Sequence, residues 1–124
     1  MSGRQLLVDT NVLIYLLNGE KRITDILQDA RLIVSVITKM EIKSYSKLTV
    51  QDNELIDSLL TDCEVLELTF DIQNVAIEFR KKFNLKLPDA IIAASGYCAN
   101  LPLLTYDTAF GKVEEMDVII LERE

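Results

Sequence analysis

Four carboxylates stand where the surrounding sequence has little use for charge. The apolar run of residues 6–17, LLVDTNVLIYLL, is interrupted at Asp9-Thr10-Asn11, and Asp107 closes the apolar stretch LPLLTYD at 101–107. Turn preference alone accounts for an aspartate at either place. Both nevertheless follow strand-like runs, and ligands of open α/β sheets bind just beyond the carboxyl ends of strands. Glu41 is four residues from both Ile37 and Tyr45. It therefore projects with a predicted helical stripe of Ile37, Met40, Tyr45 and Leu48. A rim position, where the stripe meets solvent, is the plainer alternative. Asp89 opens a helix that is apolar nearly all round, KLPDAIIAASGYCA at 86–99. The helix dipole favours a carboxylate in that first turn, but Asp89 also shares a face with Ile92, Ala93 and Gly96 and is directed inward.

Such a set narrows the chemistry. The chain has no histidine, which removes Ser-His-Asp and Cys-His catalysis and every His-based metal site. Its glycines are scattered singly, so no phosphate-binding loop is present. Four clustered carboxylates repel one another and raise each other's pKa unless a cation compensates them. Mg²⁺ or Mn²⁺ takes oxygen ligands and keeps water in its shell. Water on such an ion can act as a nucleophile, which answers the lack of a conventional base.

Elements of alternating type must position these acids. Strands are predicted at 5–9, 32–36, 64–68, 101–105 and 117–121 from β-branched or alternating apolar runs. Helices are predicted from an Asn11 cap through 18, at 22–30, from Thr38 through 47, from an Asp52 cap through 62, at 71–84, and from Pro88 through 99. A short turn or helix covers 108–112, and residues 122–124 read as a solvated end. Strands alternating with helices, mostly as continuous apolar runs, predict a parallel sheet covered on both faces. If the first and fourth strands are neighbours, Asp9 and Asp107 lie side by side.

Size and composition set the remaining bounds. A chain of 124 residues predicts one domain, 1–124, with enough core to need no disulfide or structural metal. No apolar stretch is long enough for a membrane span, and no signal peptide is read at the start. Cys63 and Cys98 are far apart, without a CxxC pattern, as in a reducing cytoplasmic protein. A net charge of −7 argues mildly against nucleic acid as a partner. Against this, FRKKFNLK at 79–86 groups Arg80, Lys81, Lys82 and Lys86 just before Asp89, and Lys39 and Lys43 flank Glu41. These cations either rim the acidic pocket or form a solvated face, the usual fate of charge runs.

The segments LLVDTNVLIYLL, TKMEI (38–42), LPDAIIAASG (87–96) and LPLLTYDTAF (101–110) agree in order and spacing with one family. Over essentially its whole length the chain resembles PIN-domain proteins, in particular the compact toxin ribonucleases of the VapC type. The resemblance implies a single α/β/α domain with a five-stranded parallel sheet of order 3-2-1-4-5. It maps the family's acids onto Asp9, Glu41, Asp89 and Asp107 as metal ligands and catalytic groups, with Thr10, Asn11 and Thr105 lining the pocket. Tyr106 stands where the last motif often has asparagine. The implied activity is Mg²⁺- or Mn²⁺-dependent hydrolysis of RNA, by a cytoplasmic toxin that forms a homodimer and is restrained by a small antitoxin. A housekeeping RNA-processing role is the alternative. A phospho-accepting receiver domain is the rival of another class, but it wants paired acids after the first strand and a lysine after the fifth. Here Thr10-Asn11 and Glu122-Arg123 stand at those places.

Overall fold

The computed structural model describes residues 3–123. The strands are β1 (Gln5–Val8), β2 (Arg31–Ser35), β3 (Glu64–Leu66), β4 (Leu103–Thr105) and β5 (Val118–Ile120). All pairs are parallel, in the order β3-β2-β1-β4-β5. The helices are α1 (Thr10–Leu17), α2 (Lys21–Leu27), α3 (Val36–Lys43), α4 (Val50–Thr61), α5 (Phe70–Phe83) and α6 (Leu87–Ala99), with a 3-10 turn at Thr108–Lys112.

Strand side chains alternate between two faces, and the alternation separates two apolar layers. Leu7, Ile33 and Leu103 meet α5 and α6 through Ile72, Ala76, Phe79 and Ile92. Leu6, Val8, Val34 and Leu104 meet the opposite layer through Val12, Leu13, Ile23, Ile42 and Ile56. The sheet is thus buried on both faces, which is why its central strands carry almost no polar residue.

The helix starts differ from the sequence reading in a consistent way. Asp9, not Asn11, caps α1, its carboxylate accepting from Thr10 N–H. Ser35, not Thr38, caps α3. Thr49 caps α4, while Asp52 at the third helical position accepts in return from Thr49 N–H. Thr69 caps α5. Each cap is a hydroxyl or carboxyl that satisfies a free N–H of the first turn. In α3 and α4 the residue singled out by sequence is the next such group along the chain, and in α1 it is the second. The expected stripe on α3 is also corrected: Met40 and Tyr45 are exposed, and the helix buries Thr38 and Ile42 instead. At the carboxyl end, Arg123 is not simply solvated, because it packs over the Tyr106 ring. Glu124 lies outside the described residues.

Helix α6 packs closely enough to leave no room at Gly96. An added Cβ would sit 2.5 Å from Met116 Cε, 3.1 Å from Leu7 Cδ2 and 3.3 Å from the Leu101 carbonyl. Met116 can swing aside, but the sheet behind Leu7 cannot. Gly96→Ala is expected to cost about 1–3 kcal/mol, the usual penalty for overpacking, read as a lower urea midpoint at unchanged slope.

Candidate active site

β1 and β4 are adjacent, with Leu7 opposite Leu103 and Val8 opposite Leu104. Continuing that register sets Thr105, rather than Asp107, opposite Asp9. The Thr105 hydroxyl donates to Asp9 Oδ2 at 2.6 Å and accepts from Asp107 N–H at 3.0 Å. It therefore ties the two strand ends together, with Asp107 one step further out. Asp9 Oδ1 accepts from Thr10 N–H at 2.8 Å. Asp107 caps the 3-10 turn, accepting from Ala109 N–H at 2.9 Å.

The second half of the site comes from α3. The Thr10 hydroxyl lies 2.6 Å from Glu41 Oε1 and 3.0 Å from Thr38 Oγ1. A hydroxyl has one proton. With it on the Glu41 carboxylate, Thr10 accepts from Thr38. Thr38 is fully buried. It is a site residue that sequence reading took only as a helix start; an internal threonine facing the sheet was the available signal. Asn11 is exposed at the rim of α1.

Electrostatics bring the four acids together. Asp9, almost fully buried, has its pKa raised first by loss of water and then by Asp107 and Glu41, against the hydrogen bonds from Thr105 and Thr10. Asp89, in the first turn of α6, is pushed up to about 6. Burial is again the first cause, followed by the charges of Asp9, Asp107 and Glu41, with Lys86 pulling the other way. A carboxylate at a helix start is normally favoured. Its rise there comes first from burial and then from the other three acids, which together outweigh that preference.

The six candidate basic residues divide. Lys86 is the N-cap residue of α6 and acts on Asp89. Lys43 pairs with Asp57 at 2.6 Å and Lys82 with Glu115 at 2.7 Å. Arg80 Nη1 donates to the Leu85 carbonyl at 3.2 Å. Lys39 and Lys81 are exposed.

The donor set suits a hard divalent cation: carboxylates and hydroxyls alone, several short of water and repelling one another. Each hydrogen-bonded oxygen of Asp9 keeps a further lone pair. Among the described residues, however, no three His, Cys, Asp or Glu side chains stand in metal-holding geometry. The acids act on one another electrostatically without forming a closed cage. Thr105→Val tests the scaffold. It leaves Asp9 Oδ2 and Asp107 N–H without their partner inside the protein, and is expected to cost about 1–3 kcal/mol in denaturant unfolding.

The comparisons with known proteins agree with this architecture. The PIN domain profile matches residues 6–116, and the chain belongs to the PIN-domain family, a class of nucleases. Within that family its fold is of the VapC type. The structure is similar to a toxin-antitoxin complex from Klebsiella pneumoniae, with TM-score 0.83 and 28% identity over 95% of this chain and 99% of that one. It is also similar to VapBC2 of Rickettsia felis, solved with a promoter DNA fragment, at TM-score 0.80 and 16% identity over 95% and 99% of the two chains. VapBC-1 of nontypeable Haemophilus influenzae gives TM-score 0.76 and 22% identity over 94% and 97%. No curated protein matches the chain by sequence. Among the described residues, no helix is long and apolar enough to cross a membrane.

Proposed function

We propose that this chain is a divalent-metal-dependent endoribonuclease, the toxin of a toxin-antitoxin pair, acting through Asp9, Glu41, Asp89 and Asp107. The observation that carries the proposal is the Asp89 carboxyl. It is pushed up to about 6 by burial and by the three other acids, although they come from separate stretches of the chain. Such mutual repulsion is costly for a folded protein, and a bound dication relieves it.

The four acids would hold Mg²⁺ or Mn²⁺, which when bound supplies a water of lowered pKa and offsets charge on the phosphate. The chain's own groups set the geometry. Thr105 holds Asp9 and the Asp107 backbone in register. Thr10 orients Glu41 while Thr38 supports Thr10. Without the ion Asp89 holds a proton up to about pH 6, and loading the site would displace it. Asn11, exposed at the start of α1, and Lys86, which acts on Asp89, would meet phosphate oxygens. The remaining cations serve, if at all, at longer range.

A restraining partner would need a surface to cover. An apolar groove of about 240 Å³ runs between α1, α3 and α4, lined by Ile14, Leu17, Ile42, Tyr45 and Leu55 among others. Tyr45 and Leu55 are half or more exposed, and an amphipathic helix covers such a surface well. Pairing of two copies belongs to the same reading.

The test is direct. Purified protein is expected to cut structured RNA with Mg²⁺ or Mn²⁺ and to stop when EDTA is added. RNA left intact under both ions would end the ribonuclease reading. Copurification from the native host tests the second half, and a toxin should bring a small protein with it. A chain that purifies alone and does not slow growth when induced would be a housekeeping enzyme.

A further inference from the structure

A second cleft lies on the other side of Tyr106 from the acids. Tyr106 stands between Thr105 and Asp107 in the chain, but strand alternation turns its ring into the layer of Leu6, Val8 and Leu104. The segment after β5 crosses that layer. Leu121 N–H donates to the Thr105 carbonyl at 2.8 Å. Arg22 Nη1 donates to the Glu122 carbonyl at 2.6 Å. The Arg123 guanidinium lies 5.5 Å from the centre of the Tyr106 ring, and its Nη1 donates to Tyr15 Oη at 3.3 Å. The Tyr15 and Tyr106 rings are 5.0 Å apart and tilted by 60°. Together Tyr15, Glu20, Arg22, Tyr106 and Arg123 line a cleft of about 200 Å³.

The exposed components suit one kind of ligand, and the buried Tyr106 ring backs them. Nucleobases stack on aromatic rings and on guanidinium planes. Arg123, exposed and already over Tyr106, is such a plane. The exposed Arg123 brings a positive charge that favours a phosphate backbone, in a protein whose net charge of −7 otherwise repels it. Glu20 can accept from the amino group of a base, as carboxylates do from cytosine. The position matters as much as the lining, because the residues flanking Tyr106 belong to the acidic site. Thr105 and Asp107, on either side of Tyr106, connect the cleft to the acids along the chain.

We propose that the cleft formed by Tyr15, Tyr106, Arg123 and Glu20 is a nucleobase pocket, stacking one base of a single-stranded RNA beside the phosphate to be cut. Its relation to cleavage rests on the nuclease reading, but its binding of a base does not. The test uses single-stranded RNAs of about 12 nucleotides, within the usual span of such sites, with 2-aminopurine placed at each position in turn. They are titrated into the Asp9→Asn chain in EDTA, so that no cleavage intervenes, and stacking is read as quenching. Saturable quenching is expected at one position or two adjacent ones. Arg123→Ala in the same background should remove that quenching and weaken binding on the order of tenfold. Tyr15→Leu, which keeps apolar volume, should do the same. Lys47→Ala, an equal loss of charge at an exposed site away from the cleft, should leave the pattern unchanged. Quenching at no position, uniform quenching, or an Arg123→Ala effect no larger than that of Lys47→Ala would overturn the proposal. Wild-type cleavage measured beside it separates the two readings. A chain that cuts RNA without a position-specific signal loses the pocket alone, and one that stacks a base but never cuts loses the nuclease alone.

Discussion

Asp9→Asn is expected to lower metal-supported RNA cleavage by about a thousandfold, at the upper end of what removing one preorganised charge-stabilising group costs. The shape is conserved; the charge is not. The amide keeps one oxygen to accept from Thr10 N–H, while its nitrogen faces the Thr105 hydroxyl, which can rotate to accept instead of donate. What is lost is the negative charge at the centre of the acid group. In the absence of metal that charge is a burden, since burial and the nearby Asp107 and Glu41 both disfavour it. The metal-free variant should therefore melt at the same temperature as the wild type or higher. Lost cleavage together with undiminished stability cannot come from unfolding. Cleavage within a few-fold of wild type would remove Asp9 from the proposed mechanism, and a clearly lower melting temperature would mean that its carboxylate supports the fold.

The second large effect is on stability against pH. Asp89 titrates near 6 in the folded chain, against an ordinary 3.8. Between those values the folded state binds more protons than the unfolded state, so stability falls as pH rises. It is greatest below about pH 4 and is lost as pH climbs through 6. A fully buried carboxyl displaced that far would contribute about 3 kcal/mol. Asp89 is partly exposed and water screens it, so roughly 1–2 kcal/mol is the expected size. No histidine titrates in this window to mask the slope. Asp9 adds to it in the same direction. Asp52 and Glu115, whose pKa values are lowered, act only at more acidic pH. Urea unfolding in EDTA should thus show higher stability at pH 5 than at pH 7, and Asp89→Asn should flatten most of the difference. Millimolar Mn²⁺ should reverse the trend by binding the ionised acids of the folded state alone. A wild-type profile that is level or rising from pH 5 to 7 without metal would mean that the acids do not burden one another.

Legibility differed from element to element. The strands were plain because β-branched and leucine-rich runs have no other use in a short parallel sheet. Their ends were drawn too long: 101–105 against Leu103–Thr105, and 64–68 against Glu64–Leu66. Leu101 N–H is bonded to the Gly96 carbonyl and Pro102 has no N–H to give, so the strand begins only after them. Helix starts slipped because Ser, Thr, Asp and Asn all cap well, and sequence does not say which of two neighbours has its side chain over the first turn. The Met40–Tyr45 stripe failed because helical period identifies a face without showing whether another layer covers it.

Residue type and spacing by themselves determined the class of fold, the absence of histidine chemistry and the four acids as candidates. These are local properties, written in apolar period, in turn preference and in what each side chain can donate or accept. The tertiary structure alone decided which groups touch. It set Thr105, not Asp107, against Asp9, brought Thr38 beneath Thr10, gave Lys86 to Asp89 while Lys43 and Lys82 went to other carboxylates, and laid Arg123 on Tyr106. Such pairings join residues up to about a hundred positions apart. They follow from strand order and register, which no single stretch of the chain contains.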